Sequence, residues 1–281
     1  MTNTQLWLKS DSLIAILPTY YVTGWFDQSG QTHDFQALTM GQAVPSLTTN
    51  ALNGFPVVTF DESAKQYLGY GASLNITGSD ATTVAIVARN TSPADEPNGG
   101  LYIGKRNSGG ANAVRDYGLE YNDAVRFNGE NQIFNDGHSM GEWNIIIYSN
   151  KAGATVADYK AWLNGTQLTG NSSSSTVPSL PATGLFALLG ATQFNGTYNP
   201  TGFFNGDIAE VAAFSSELND ASRIILENNL AARYHLNIAD DYYAYQDNYY
   251  WDVSGITEKN GTTFTNAWSS DILSITSPSD L

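Results

Sequence analysis

The chain has 281 residues, with 27 Asp and Glu against 12 Lys and Arg, and a formal net charge of −15. That charge repels phosphate backbones and argues against nucleic acid as a partner. There is no cysteine, which rules out disulfides and thiolate metal sites, and no apolar run reaches the roughly 18 residues of a membrane span.

The opening, Met1-Thr2-Asn3-Thr4-Gln5-Leu6-Trp7-Leu8, lacks the basic and apolar regions of a signal peptide. This points to a module cut from a longer protein, or to one that reaches its site without such a signal. With 26 Gly, 16 Tyr and 12 Phe, the composition favours a turn-rich, aromatic β protein. Strand-like runs follow at 56–60, 82–88, 100–104, 117–121, 143–148, 159–163 and 185–190. In the second of these, Val84, Ile86 and Ala88 alternate with Thr83, Ala85 and Val87, so both faces are apolar, as in a strand buried on both sides. Turn signals lie between the runs at Asn53-Gly54, Asn98-Gly99-Gly100, Ser108-Gly109-Gly110, Asn128-Gly129, Asp136-Gly137 and Asn164-Gly165. The clearest hairpin is predicted over 159–168, closed by Asn164-Gly165. Residues 171–176 form a Ser-rich loop, after which β character resumes at Leu185.

Asn205 to Phe214 reads as a strand running into one amphipathic helix over 217–235, with Ser216 or Asn219 as N-cap. Leu226, Leu230 and Tyr234 recur every four residues, and Ile225 widens this apolar stripe. Glu217 and Asp220 suit the positive end of the helix dipole, while Arg233 and His235 suit its negative end. The composition changes near Asp240. The expected division is a domain over 1–238 and an aromatic, acidic, β-rich tail over 239–281, either an extension or a truncated second domain.

Several stretches together carry a likeness: Leu6-Trp7-Leu8 with Asp11, Trp25-Phe26-Asp27-Gln28-Ser29-Gly30 with His33, Pro45, Asn53 to Val58, Phe60-Asp61 and Tyr67-Leu68. The closing segment Gly206-Asp207-Ile208-Ala209-Glu210-Val211, with a helix ending Ala232-Arg233-Tyr234, completes it. In this order the chain resembles the concanavalin A-like, laminin G-like jelly-roll domains of bacterial surface proteins, adhesin-type or phage-associated, over about residues 5 to 238. The resemblance implies an all-β jelly-roll sandwich with one C-terminal helix. It leaves function open, because the fold hosts lectins, adhesins, glycosidases and spacers. The segment 249–256 resembles one that follows such domains in large surface proteins.

Glycoside hydrolysis requires paired carboxylates about 5–10 Å apart. Family members with that activity carry them as Glu-x-Asp-x-x-Glu or Glu-x-Asp-x-Glu on one strand, and this chain has no such run. Its nearest approach is Asp116, Glu120 and Asp123. Asp116 and Glu120 share strand parity but stand about 13 Å apart, too far for a retaining pair. His33, His138 and His235 lack metal-ligand spacing, and no hydrolase elbow or phosphate loop is present. No catalytic residue is assigned.

The resemblance implies a structural calcium held by Asp27, Asp61 and Asp207, since calcium takes oxygens from Asp-rich loops. Asp27 and Asp61 read equally well as turn caps. Sugar binding needs an exposed aromatic beside amides. Asn195, Tyr198 and Asn199 fit best, with Tyr102 beside Lys105 and Arg106 as a further candidate, and Phe203-Phe204-Asn205 as another. The run 240–252 reads either as a contact surface for a second copy or a virion neighbour, or as a strand pair pinning the tail. The reading as a whole is a non-catalytic binding module of an extracellular or cell-surface protein, recognising a glycan or another cell-surface ligand in adhesion. The alternative is a structural or decoration component of a phage virion or tail, and a glycoside hydrolase ranks below both.

Overall fold

The computed structural model describes residues 3–12, 14–16, 20–38, 40–91, 99–105, 114–119, 124–127, 132–135, 140–180, 185–191, 202–242, 254–259 and 262–267. Among these, two antiparallel sheets face each other and a single α-helix lies against the outside of one of them.

The first sheet holds β1 (Thr4–Lys9), β5 (Ser46–Leu52), β6 (Phe55–Phe60), β8 (Thr82–Asn90), β13 (Asn144–Asn150), β14 (Lys160–Leu163), β15 (Thr166–Gln167) and β17 (Gly206–Phe214). They run in the order β15-β14-β13-β8-β17-β6-β5. One edge of β17 pairs with β8 along almost its whole length. Its other edge is shared, with β6 pairing at 206–208 and β1 at 210–214. A register shift between Ile208 and Glu210 marks the change of partner.

The second sheet holds β2 (Ile14–Ile16), β3 (Val22–Trp25), β4 (Phe35–Gln36), β7 (Leu68–Tyr70), β9 (Gly99–Lys105), β10 (Val114–Leu119), β11 (Ala124–Phe127), β12 (Gln132–Asn135) and β16 (Leu185–Leu189). Its order is β12-β11-β10-β9-β16-β7-β4-β3-β2. A separate hairpin in the tail joins β18 (Ser254–Lys259) to β19 (Thr262–Ala267).

Strand periodicity accounts for the layering. From the first sheet Val58, Phe60, Val84, Ile86, Ala88, Ile146, Tyr148, Ile208, Val211 and Ala213 face inward. There they meet Trp25, Phe35, Leu68, Leu101, Ile103 and Leu189 of the second. The alternate residues Phe55, Val57, Ala85, Val87, Ile145, Ile147, Ala212 and Phe214 form a second apolar layer on the outer face. The helix α1 (Asp220–Tyr234) covers that layer with Leu226, Leu230, Ala231 and Tyr234. The two apolar faces of 82–88 are thereby explained: one faces the other sheet and the other faces the helix.

The helix begins three residues later than the predicted 217. Asn219 is its N-cap, and its side chain accepts the Ser222 amide at 2.9 Å. It ends at Tyr234, with His235 in the left-handed region as C-cap. The hairpin at 159–168 also forms as predicted, with Asn164 and Gly165 at φ 47° and 85°. Both central residues have positive φ, as a type I′ turn requires.

Candidate ligand-binding face

Beyond the end of the helix the outer face of the first sheet changes character. The outward positions that continue Val57, Val87 and Ile145 past its edge are Thr59, Arg89 and Trp143, and β17 contributes Asp207 between them. The sheet register places Asp207 opposite Thr59 on one side and Arg89 on the other. Arg89 Nε donates to Asp207 Oδ2 at 2.5 Å, and the Arg89 guanidinium lies 5.1 Å over the Trp143 ring. The Thr59 hydroxyl donates to Asp207 Oδ1 at 2.5 Å and lies 2.7 Å from the Thr48 hydroxyl. A polar row therefore runs from Trp143 through Arg89, Asp207 and Thr59 to Thr48, crossing β8, β17, β6 and β5.

Asp207 is buried within the row, Arg89 and Trp143 are half-buried, and Thr48 is open to solvent. An indole flank, a guanidinium and adjacent hydroxyls are groups that hydrogen-bond or stack on a polyhydroxylated ligand. The chain leading into β17, where Asn195, Tyr198 and Asn199 occur in sequence, joins the sheet at this end. Those three residues lie outside the described residues.

Tyr102 sits in β9, opposite Leu188 and Asp116 in the register, and is described by its backbone alone. Asp116 is in β10, while Glu120 and Asp123 lie outside the described residues. Of the stretch 203–205, Phe204 is not a loop aromatic. It is fully buried and packs edge-on against Phe60, with ring centroids 6.2 Å apart. Phe203 leans on Tyr67 at 6.3 Å. Asn205 is held by Thr91 and accepts the Glu62 amide. Composition alone could not separate these three, because only the packing on Phe60 takes the middle one into the core.

The three aspartates assigned to calcium occupy different settings. Asp27 accepts the amides of Trp7, Ser29 and His33 and the Ser29 hydroxyl. Asp61 accepts the Ser63 amide and hydroxyl and the Ala64 amide, and the Ser63 hydroxyl is the main reason its carboxyl lies below the usual range. Asp207 is paired with Arg89. Among the described residues no three His, Asp or Glu side chains gather as metal ligands. The hydrogen bonds on these carboxylates come from N–H and O–H groups of the chain itself. His33 is buried, with its Nδ1 2.6 Å from the Gln5 carbonyl.

Two carboxyls are pushed above the ordinary glutamate range, each chiefly by burial: Glu210 and Glu227. Raised acids in clefts are candidates for catalysis, but these two are sealed beneath the helix. Glu210 accepts Trp7 Nε1–H at 2.5 Å and the Tyr234 hydroxyl at 2.8 Å, and Arg233 lies beside it. Glu227 accepts the Gly165 amide and pairs with Arg223 at 2.7 Å, and that guanidinium lies 4.6 Å over Trp162. Both acids fasten α1 to the sheet.

A second exposed group, apolar and mostly aromatic, lies on the edge hairpin β2–β3 and its flanks: Ile16, Tyr20, Tyr21 and Phe26. In the tail, Tyr242 is exposed and its amide donates to Asn228 Oδ1. The rest of the predicted contact run, 243–252, lies outside the described residues. No described helix is long and apolar enough to cross a membrane.

No protein-family model and no curated protein matches the chain. Solved structures do. Domain 4 of AbnA, a GH43 extracellular arabinanase from Geobacillus stearothermophilus, in complex with arabinotriose, aligns at TM-score 0.50 and 12% identity, over 78% of this chain and 95% of that one. A GH54 α-L-arabinofuranosidase aligns at TM-score 0.52 and 15% identity, over 75% of this chain and 50% of that one. A structure of botulinum neurotoxin type C, whose cell entry depends on interaction with two ganglioside molecules, aligns at TM-score 0.50 and 15% identity. It covers 81% of this chain and 51% of that one. The chain is a β-sandwich. At these identities the likeness carries the fold and nothing finer, and the chain spans only about half the length of the last two structures.

Proposed function

We propose that this sandwich is a carbohydrate-binding module of an extracellular or surface protein, and that it binds its glycan on the outer face of the first sheet. The observation that carries the reading is the row Trp143–Arg89–Asp207–Thr59–Thr48, a strip of hydrogen-bonding groups and one indole beyond the helix, on a sheet whose central strands are otherwise covered on both faces. A flat strip at the end of a rigid sheet suits a chain of sugar rings, whose hydroxyls take the polar groups while an apolar ring face meets the indole. One neighbour supports the choice of ligand class by its subject: arabinotriose bound to an arabinanase domain.

The module is proposed to act by binding. Both carboxyls of raised pKa are enclosed under the helix, where no substrate reaches them. Adhesion is the role that fits best. Calcium enters the proposal only as a test condition, because the row does not require it. A glycan array probed with the whole chain, with and without chelator, checks the reading. Binding to a defined saccharide set that is lost in Trp143→Ala supports it. Absence of binding to any saccharide refutes it, and release of reducing sugar from a bound polysaccharide overturns the non-catalytic part.

A further inference from the structure

The charges around the row narrow the ligand further. Arg89 is the row's cation, and its charge is matched by the Asp207 carboxylate at 2.5 Å. The residues that flank these strand ends are mainly acidic. Asp61 and Glu62 follow β6, and Glu142 precedes Trp143. With Asp207 they make four carboxylates, against Arg89 and Lys65, a net of −2 among the described residues at this end. Behind them stands a chain of formal net charge −15.

An anionic sugar would therefore meet a guanidinium whose charge is already neutralised, inside a negative field that acts over about a Debye length, roughly 8–10 Å at ordinary salt. Like-charge contact also lowers the association rate. A neutral sugar meets no such penalty. The guanidinium uses Nε on Asp207, and its terminal amino groups remain the kind of donor that neutral hydroxyls accept. Thr48 and Thr59 both give and take hydrogen bonds.

Resting on the binding role given above, we infer that the face selects neutral glycans and discriminates against sialylated, sulfated and uronate-bearing ones, with the Arg89–Asp207 pair as the element that sets this choice. The pair keeps a donor in place and withholds its charge. In Asp207→Asn the same donor geometry is available, but the row gains one positive charge, and the preference shifts toward acidic saccharides.

The test compares saccharides that share a core and differ in charge, such as lactose and sialyllactose, or a neutral arabino- or xylo-oligosaccharide and its uronate-substituted form. Calorimetry is run on the whole chain at low and at physiological salt. The expected result is that the neutral member of each bound pair binds at least about tenfold more tightly at low salt, about 1.4 kcal/mol, and that the gap narrows as salt rises. Asp207→Asn, or Glu142→Gln at an exposed site should the first variant fold poorly, raises the anionic-to-neutral affinity ratio several-fold. An anionic member that binds as tightly as its neutral partner, or whose binding weakens with salt as ion pairing does, overturns the inference while leaving the binding role intact. If neither member of any pair binds, both fall together.

Discussion

Glu210 joins three elements, and its removal is a sharp test of how the helix is held to the sheet. In Glu210→Ala, Trp7 Nε1–H of β1 loses its Glu210 acceptor, and the Tyr234 hydroxyl of α1 loses its 2.8 Å bond and keeps only a 3.5 Å contact to the Ala209 carbonyl. Losing a well-formed bond to a buried acceptor costs about 1–3 kcal/mol. Arg233, 12% exposed in its side chain, keeps Asp11 at 2.6 Å but loses Glu210 at 3.5 Å. Part of this is offset, because the variant no longer buries a carboxyl. A net loss of about 3 kcal/mol is expected, at the low end of the 3–5 kcal/mol typical of breaking a buried pair. The pH dependence carries its own sign. Burial raises Glu210, so the folded chain holds that proton more tightly than the unfolded chain does. Its contribution is complete below the ordinary glutamate range and is lost as pH rises through the raised value. Glu227 acts in the same direction. Asp61, lowered by Ser63, acts oppositely, and its contribution is lost as pH falls. Urea unfolding followed by tryptophan fluorescence, from about pH 4 to pH 8, should show Glu210→Ala destabilised by about that amount. Glu210→Gln should show a shallower decline with pH, the remainder belonging to Glu227. An alanine variant within about 0.5 kcal/mol of wild type, or a glutamine variant with the full wild-type slope, refutes the reasoning.

Gly165→Ala should destabilise by more than the roughly 1 kcal/mol of a left-handed alanine, because its Cβ would lie 2.9 Å from the Ala239 amide nitrogen; a melting temperature equal to wild type counts against it. Leu230→Ala, in the middle of the layer between helix and sheet, should cost about 2–5 kcal/mol in the same urea assay, whereas a cost below 1 kcal/mol would mean that the helix packs loosely. Asp27→Ala removes the acceptor for three amides and a hydroxyl. It should lower the melting temperature equally in calcium and in chelator, and a loss confined to calcium-containing buffer would place a cation on that carboxylate instead.

The fold was legible wherever a local pattern determines it. The stripe Leu226, Leu230 and Tyr234 and the Asn164-Gly165 turn each state their geometry within a few residues. The doubly apolar run 82–88 showed that both of its faces were covered, though not by what. The candidate face could not be read in this way. Thr48, Thr59, Arg89, Trp143 and Asp207 are brought together by the pairing of strands far apart in sequence, which no local period encodes. One faint signal exists. Arg89 is the first charged residue after Val84 to Ala88, at the outward parity of Ala85 and Val87, so it marks where the covered part of that face ends. Glu210 carries a similar signal as the single acid between Ile208 and Phe214. The local sequence around Asp207 gives no sign of its partner, a guanidinium across the sheet.

The most direct test of the central claim is a crystal structure of the whole chain soaked with a neutral oligosaccharide that the array identifies. The account predicts sugar density along the outer face of the first sheet, with hydroxyls within hydrogen-bonding distance of Arg89 and Thr48 and a ring against Trp143. Density confined to the Tyr20–Tyr21–Phe26 edge, or to any surface that does not include the Arg89–Asp207 pair, contradicts it.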